Sequence, residues 1–197
     1  PFMSVIIPNY NGQHLLPTVL DALAAQTFRD FETIVIDDAS TEPAVARCLT
    51  AAARAPNVTL ARNETNLGFT RTVNRGLGLA GDRDVVILNS DTEVTPRWLA
   101  YLAAAAYERD DIGTATATSN SASQFSVPLR FHNTVPYWLD LGSYARAVAQ
   151  CHRHISLPTP FGHGFCLYLK RRYLDAVGGL VKTRVEMLLD DAHLQTL

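Results

Sequence analysis

Val85-Val86-Ile87-Leu88-Asn89-Ser90-Asp91 runs four apolar residues into a single carboxylate. The apolar run reads as a buried strand, and Asp91 falls where that strand leaves the sheet. Open α/β sheets take their ligands beyond the carboxyl ends of their strands, so an acid there, after Asn and Ser, can hold a divalent cation. Ile34-Val35-Ile36-Asp37-Asp38-Ala39-Ser40 repeats the design and strengthens it.

Around these two runs, β-rich stretches alternate with helical patterns through residue 119. Residues 3–8 form the first expected strand. After Asn9-Tyr10-Asn11-Gly12, Leu16, Val19, Leu20 and Leu23 recur at i, i+3, i+4 and i+7, which marks an amphipathic helix. Residues 33–37 read as a second strand. Ser40-Thr41-Glu42-Pro43 then opens a helix striped by Val45, Cys48, Leu49 and Ala52, with Pro tolerated in its first turn. A shorter strand at 58–61 precedes Asn66-Leu67-Gly68 and a helix with Phe69, Val73, Leu77 and Ala80 on one side. After a strand at 85–89, Thr95-Pro96 caps a helix carrying Leu99, Leu102, Ala103 and Ala106, and 112–119 reads as another strand. This alternation predicts βαβ units: a single α/β domain with a Rossmann-like, mostly parallel central sheet flanked by helices.

From Asn120 to Pro160 the pattern gives way to Ser, Asn, Pro and aromatic residues, with one expected helix (Trp138, Leu141, Ala145, Val148). Long irregular excursions of this kind often carry a second substrate's site. A strand at 162–169, a short helix at 171–177 ended by Gly178-Gly179, and a helical segment at 183–197 follow. Residues 1–119 and 120–197 therefore read as two halves of one domain.

The 197 residues suffice for one full core, and 47% hydrophobic with 18% charged residues is ordinary for a soluble globular protein. A formal net charge of −2 offers no basic footprint for nucleic acid. Cys48, Cys151 and Cys166 lack C-x-x-C spacing and are expected as free thiols in a reducing, cytoplasmic setting. The apolar run 98–107 is too short to span a bilayer and reads as an alanine-rich buried helix. The chain opens on Pro1, as a trimmed or partial piece would, so peripheral association with the cytoplasmic face of a membrane would come through regions outside it.

In a parallel sheet, Pro8-Asn9-Tyr10, Asp37-Asp38 and Asn89-Ser90-Asp91 share one edge. A ring to pack on a base, an Asp to bind base or ribose, and an Asp to hold Mg²⁺ or Mn²⁺ against a diphosphate suit a nucleotide. Strand-end Asp residues also serve as helix caps and turn-formers, a reading that weakens when several gather together. G-x-G-x-x-G after the first strand and the P-loop pattern are both missing, which argues against a dinucleotide-binding dehydrogenase and a P-loop NTPase. Arg71 is the nearest basic helper for a phosphate; a solvated helix face explains it equally well.

Ser4-Val5-Ile6-Ile7-Pro8-Asn9-Tyr10-Asn11-Gly12, Gln26-Thr27-Phe28, Val35-Ile36-Asp37-Asp38-Ala39-Ser40, Asn66-Leu67-Gly68 and Leu88-Asn89-Ser90-Asp91 together resemble the family 2 glycosyltransferases, in order and spacing. The resemblance covers residues 3–99 and returns at 162–191. It implies a GT-A fold, a nucleotide-diphosphate sugar donor (UDP- or dTDP-linked), a divalent cation and inversion at the anomeric carbon. Pro8 and Tyr10 would then line the base site with Asp37 and Asn66 nearby, and Asp38 would contact uracil or thymine. Asp91 matches the last residue of the family's D-x-D metal motif, whose first position is Asn89 here, with Ser90 between them. Inverting transfer needs a carboxylate to take the acceptor hydroxyl's proton. By the resemblance Asp191 is that base and Asp190 its support, after Gly178-Gly179-Leu180. The Asn89-Ser90-Asp91-Thr92 form leans toward hexosyl- or rhamnosyltransferase-like enzymes of polysaccharide assembly, with glycan or glycolipid acceptors.

His163 and Gly164, before the strand at 162–169, are candidates for a donor-sugar or acceptor contact. Trp138 beside Tyr137 could stack on a sugar, although core packing of a helix is the commoner explanation. Cys151-His152-Arg153-His154 lacks the partner pair that a zinc site needs. A rival of another class is a degenerate GT-A domain that binds nucleotide or glycan without turnover. A nucleotidyltransferase would be expected to carry a Gly-rich, basic loop after the first strand, which Asn9-Tyr10-Asn11-Gly12 is not.

Overall fold

A computed structural model of the chain describes residues 3–129, 131, 133–151 and 156–180. Side chains 85–88 are all at most 1% exposed, so the unbroken apolar run forms the buried strand expected of it. That strand is β4 (Asp84–Leu88), preceded by β1 (Met3–Asn9), α1 (Leu16–Ala24), β2 (Phe31–Asp37), α2 (Pro43–Ala52), β3 (Val58–Arg62) and α3 (Phe69–Ala80). After it come α4 (Trp98–Ala106), β5 (Thr114–Thr116), a 3-10 turn (Ser123–Phe125), α5 (Leu141–Cys151), β6 (Cys166–Leu169) and α6 (Arg171–Val177).

The strands form one sheet in the order β3-β2-β1-β4-β6-β5. The β1–β2, β2–β3 and β1–β4 pairs are parallel, as the strand–helix alternation predicts. The other side differs: β6 runs antiparallel to β4 and to β5, and only Thr114–Thr116 of the expected strand 112–119 pairs. The reversal has a simple cause. Strand β5 carries the chain to the carboxyl edge, the excursion 117–165 starts and ends at that edge, and β6 re-enters the sheet from it.

Alternation along each strand feeds two cores. Val5, Ile7, Val35, Val86 and Leu88 pack with α1 and α4, while Ile6, Ile34, Ile36, Val85 and Ile87 pack with α3 and α6. Gly76 lets α3 lie close to the sheet, since a Cβ there would stand 2.5 Å from Ile6 Cγ2 and 3.0 Å from Ile36 Cδ1. At the amino end of β4, the Asp84 carboxylate accepts Tyr107 Oη (2.6 Å), Tyr168 Oη (2.7 Å) and the Arg171 amide (2.8 Å), tying α4, β6 and α6 together. Burial and then the Asp84 bond push the Tyr107 hydroxyl up to about 12.

Three local expectations are corrected. Helix α4 begins at Trp98 with Arg97 as its left-handed N-cap residue, and Thr95-Pro96 form the preceding turn. The same helix buries Leu99, Leu102 and Ala106 but exposes Tyr101, so it is amphipathic rather than enclosed. Helix α5 starts three residues after Trp138, which is exposed along with Tyr137, so neither packs in a core. No described helix is long and apolar enough to cross a membrane.

Candidate active site

Partner pairing between β1 and β4 stops at Ile6–Ile87, whereas β1 and β2 pair on to Asn9–Asp37. Asn9 turns its carbonyl to β2, where the Asp38 amide donates to it at 2.8 Å. The missing N–H of Pro8 therefore falls on the β4 side, past the last paired residues, where no ladder bond is lost. The strands part there, at the place where the strand order reverses, and such a crevice is where open sheets bind ligands. The ends of β2, β1 and β4 span two strand spacings, about 10 Å.

The adjacent acids of β2 have different surroundings. Asp37 is fully buried and accepts bonds from Asn9 Nδ2 (3.3 Å), Ser40 Oγ and the Arg62 guanidinium. Expected among the donor contacts, it is instead enclosed by protein donors and presents no surface to a ligand. Asp38, 5% exposed, faces the entry to α3. Its Oδ1 accepts Asn63 Nδ2 (2.6 Å) and the Leu67 amide (2.8 Å), and its Oδ2 accepts the Gly68 amide (2.9 Å). Gly68, at φ +78°, turns both amides toward one carboxylate. The Asn66-Leu67-Gly68 motif is thus the dock for Asp38, and Asn66 Oδ1 closes the turn on the Gly68 amide at 3.1 Å.

Asp91 has no such enclosure. It is exposed, and among the described residues its carboxylate has one long bond, from Thr92 Oγ1 at 3.4 Å. The Asn89 amide donates to the Phe165 carbonyl (2.9 Å), and the Thr92 amide closes a turn on the Asn89 carbonyl (3.1 Å). Ser90 is half-buried in that turn. Among the described residues no group of three or more His, Cys, Asp or Glu could hold a metal. A hard cation that keeps several waters and takes further oxygens from a diphosphate still fits one free carboxylate.

Tyr10 is about half exposed (49%) at the end of β1, beside half-buried Pro8. Asn11, at φ +52°, anchors this loop: its Oδ1 accepts the Thr41 (2.9 Å) and Glu42 (3.1 Å) amides, and its own amide donates to Ser40 Oγ (2.8 Å). Arg71 lies exposed on α3 and makes no hydrogen bond or ion pair among the described residues. Gln26 is fully buried; its Nε2 donates to the carbonyls of Ala22 (3.1 Å) and Thr95 (2.9 Å), fixing α1 to the loop that carries Asp91.

His163 stands at the same edge, two residues before the Phe165 carbonyl that Asn89 uses. Its amide donates to Thr116 Oγ1 (3.0 Å), and its ring meets Phe125 and Phe165 edge-to-face at 5.8 and 5.2 Å. Burial holds its imidazole below the ordinary value. At Gly164, a Cβ would touch the Phe69 ring at 3.7 Å, so this loop lies against the start of α3. Asp190, Asp191, His152 and His154 lie outside the described residues. Sequence reasoning missed Arg62, Asn63, Thr72 and Arg75, which brace the strand-end acids: Thr72 Oγ1 accepts Asn63 Nδ2 (3.0 Å), and Arg75 donates to Asn63 Oδ1 (2.6 Å). Asn63, next after β3 and buried, was the available signal.

The fold is of the GT-A type, and the family model "Glycosyl transferase family 2" matches residues 4–178. The chain belongs to that family. An uncharacterized glycosyltransferase, YibD, of Escherichia coli K12 is 34% identical over 108 residues, which are 55% of this chain and 31% of that protein. A PGL/p-HBAD biosynthesis glycosyltransferase of Mycobacterium tuberculosis H37Rv is 32% identical over 91 residues, 46% of this chain and 36% of that one. The chain spans about a third of the length of these curated relatives. Among solved structures, mannosyltransferase PcManGT of Pyrobaculum calidifontis, in complex with GDP-Man and Mn²⁺, superposes with a TM-score of 0.66 at 23% identity, covering 91% of this chain and 47% of that one. S. aureus TarS 1–349 gives 0.61 at 25% identity, with 90% and 49% covered.

Proposed function

We propose that this chain carries the donor site of an inverting glycosyltransferase that moves a sugar from a UDP- or dTDP-sugar to a hydroxyl of a glycan or glycolipid. The observation that carries this reading is the crevice where β1 and β4 part, with Tyr10, Asp38 and the exposed Asp91 on one edge. Pro8 and Tyr10 would line the base, and the lone pair left on Asp38 Oδ2 would reach it. Asp91, with Asn89 and Ser90 beside it, would hold Mn²⁺ or Mg²⁺, which supplies positive charge for the departing diphosphate. Complexes of PcManGT and GalNAc-T7 with Mn²⁺, and of TarS with UDP-GlcNAc, support a metal and a nucleotide sugar here. Arg71, exposed near the start of α3, is free to meet a phosphate. His163, Gly164 and Trp138 face acceptor or sugar, and Asp191 with Asp190 would act as base. Polysaccharide or cell-surface glycan assembly at the cytoplasmic face of a membrane is the setting that goes with such acceptors.

Thermal shift with UDP-, dTDP- and GDP-sugars, with and without Mn²⁺, tests the donor. A ligand at a hundred times its Kd stabilises by about 2.7 kcal/mol, roughly 5–10 °C for a chain of this size. Asp91→Asn should remove the cation dependence, and a parent protein showing no such dependence rules out the metal role. Asp191→Asn should keep donor binding while transfer falls by several orders of magnitude. Because Asn89 stands where a second acid would strengthen the metal site, a pure binding module is the second reading. It predicts affinity without transfer or donor hydrolysis.

A further inference from the structure

Resting on that reading, which allows a glycolipid acceptor, we infer that Leu129, Phe131, Tyr137, Trp138 and Arg146 dock this protein on an anionic lipid surface. The loop that opens the excursion 117–165 is built with its polarity reversed. Ser126 and Asn133 are each 7% exposed, whereas Leu129 and Phe131 are 69% and 70% exposed. The polar side chains are spent on the loop's own backbone. Asn133 Oδ1 accepts the Leu129 amide (2.9 Å), and its Nδ2 donates to the Leu129 carbonyl (2.7 Å). Ser126 Oγ accepts the Ala122 amide (2.7 Å) and donates to the Phe131 carbonyl. A loop in water ordinarily hides its Leu and Phe and shows its Asn and Ser. One that does the opposite, on a frame fixed by hydrogen bonds, is suited to surroundings less polar than water.

The other exposed aromatics are tied to the same frame. Tyr144 Oη of α5 donates to the Val127 carbonyl (2.8 Å), which fixes the start of that helix beside the loop. Tyr137, fully exposed, and exposed Trp138 lie in the turn just before α5, a helix with no buried residue among those described. The frame also reaches the ligand edge, since Phe125 of the 3-10 turn meets Phe161 at 5.9 Å and His163 at 5.8 Å. Charge selects the partner. The sequence 117–165 holds Arg130, Arg146 and Arg153 against Asp140 alone, a positive excess in a chain of net charge −2. Asp140 is occupied, for its carboxylate accepts the Ser143 amide (2.9 Å) and hydroxyl (2.6 Å) at the start of α5. Arg146 is exposed one turn further on. Trp and Tyr, each with a ring and a polar tip, favour the headgroup zone of a bilayer, and Arg beside them is drawn to anionic lipid. A nucleic acid would satisfy the charge but not Leu129 and Phe131. A second copy of this chain would set the same positive charge against itself.

The test is flotation of the full chain with vesicles of phosphatidylcholine, alone or mixed with phosphatidylglycerol. Binding is expected to the mixed vesicles, far more weakly to phosphatidylcholine alone, and less as salt is raised. Arg146→Gln should lower the partition coefficient about fivefold, and Leu129→Ser with Phe131→Ser at least about tenfold. Melting curves confirm that these variants fold. Fluorescence supplies a second reading on the parent chain. Brominated acyl chains in the mixed vesicles should quench tryptophan emission, and Trp138→Phe should abolish the quenching, because Trp98 is held by its Nε1 bond to Cys166 Sγ (3.2 Å). No binding to the mixed vesicles, equal binding to both kinds, quenching that survives Trp138→Phe, or variants that bind as the parent does overturns the inference. So does a dimer in sedimentation velocity that Phe131→Ser dissolves, which would give this surface to a second copy. No nucleotide enters these measurements, so failure of the donor site shows separately, in the nucleotide-sugar thermal shift.

Discussion

Asp38→Asn separates an anchor from a ligand contact. The carboxylate engages Asn63 Nδ2 at 2.6 Å, the Leu67 amide at 2.8 Å and the Gly68 amide at 2.9 Å. In the substituted side chain the amide oxygen serves best at the Oδ1 position, where two donors converge. The –NH₂ group then faces the Gly68 amide, donor against donor. The change removes one charge-assisted bond, weakens two, and orphans a backbone N–H at the start of α3. Bonds to charged groups contribute about 1.5–3 kcal/mol each, and an unsatisfied buried donor costs about 1–3 kcal/mol. Because two bonds persist in neutral form, the net loss should be about 2–4 kcal/mol, or roughly 5–15 °C in Tm at this chain length. Urea unfolding followed by circular dichroism measures it, and faster exchange of the Leu67 and Gly68 amides localises it. A midpoint within about 0.5 kcal/mol of the parent, with an unchanged m-value, would refute the anchoring argument. If nucleotide affinity fell at the same time, Asp38 would be a ligand contact alone.

Gly76→Ala places a Cβ 2.5 Å from Ile6 Cγ2, so overpacking should outweigh the gain in helix propensity, for a net loss of about 1–2 kcal/mol in urea unfolding. A more stable variant would mean that α3 does not ride that close to the sheet. Iodoacetamide labelling of the native protein, read by mass spectrometry, should modify exposed Cys151 first and half-buried Cys48 later. Cys166, whose thiol burial pushes up to about 12, should react only on unfolding, and labelling at the rate of Cys151 contradicts this. His163 has a folded pKa below its unfolded value, so the unfolded chain takes up the proton first as pH falls. Its contribution to stability is present above an ordinary imidazole pKa of about 6.5 and is lost below it. His163→Gln should flatten that part of the stability–pH curve, and an unchanged slope would count against a half-buried ring that resists protonation.

The parallel half of the sheet was legible because its strands are buried on both faces and spell unbroken apolar runs, each followed by a helix of regular period. The runs 112–119 and 162–169 were legible as holding strands, of which only Thr114–Thr116 and Cys166–Leu169 pair, but not as holding antiparallel ones. Direction depends on which edge the chain enters from, and local residue pattern carries no trace of that. Trp138 shows a second limit. Its spacing to Leu141, Ala145 and Val148 fits a helical face, yet the helix starts at Leu141, and none of its residues is buried among those described. Period alone cannot tell whether a partner surface exists. At the site, the acids of β2 and β4 could be placed on one edge from the sequence. What each is bonded to could not, since Asn63, Arg62 and the amides of Leu67 and Gly68 come from 25 to 30 positions away or arrive through a left-handed glycine.

Asp37, Asp38 and Asp91 look alike as strand-end carboxylates, and the donors around them set them apart. Strand β2 lies between β1 and β3, so Asp37 ends among Asn9, Ser40 and Arg62. Asp38 meets the turn that leads into α3, whose Leu67 and Gly68 amides are directed at its carboxylate. Strand β4 ends differently. Its neighbour on one side has already diverged at Ile6–Ile87, and on the other the Phe165 carbonyl consumes the Asn89 amide. The next helix begins only at Trp98, and its N-terminal amides make no bond to the Asp91 carboxylate. A carboxylate with few protein donors keeps its charge available. Among the described residues Asp91 is thus the strand-end acid on this edge with the fewest protein donors, which is what the proposed role in holding a cation requires of it.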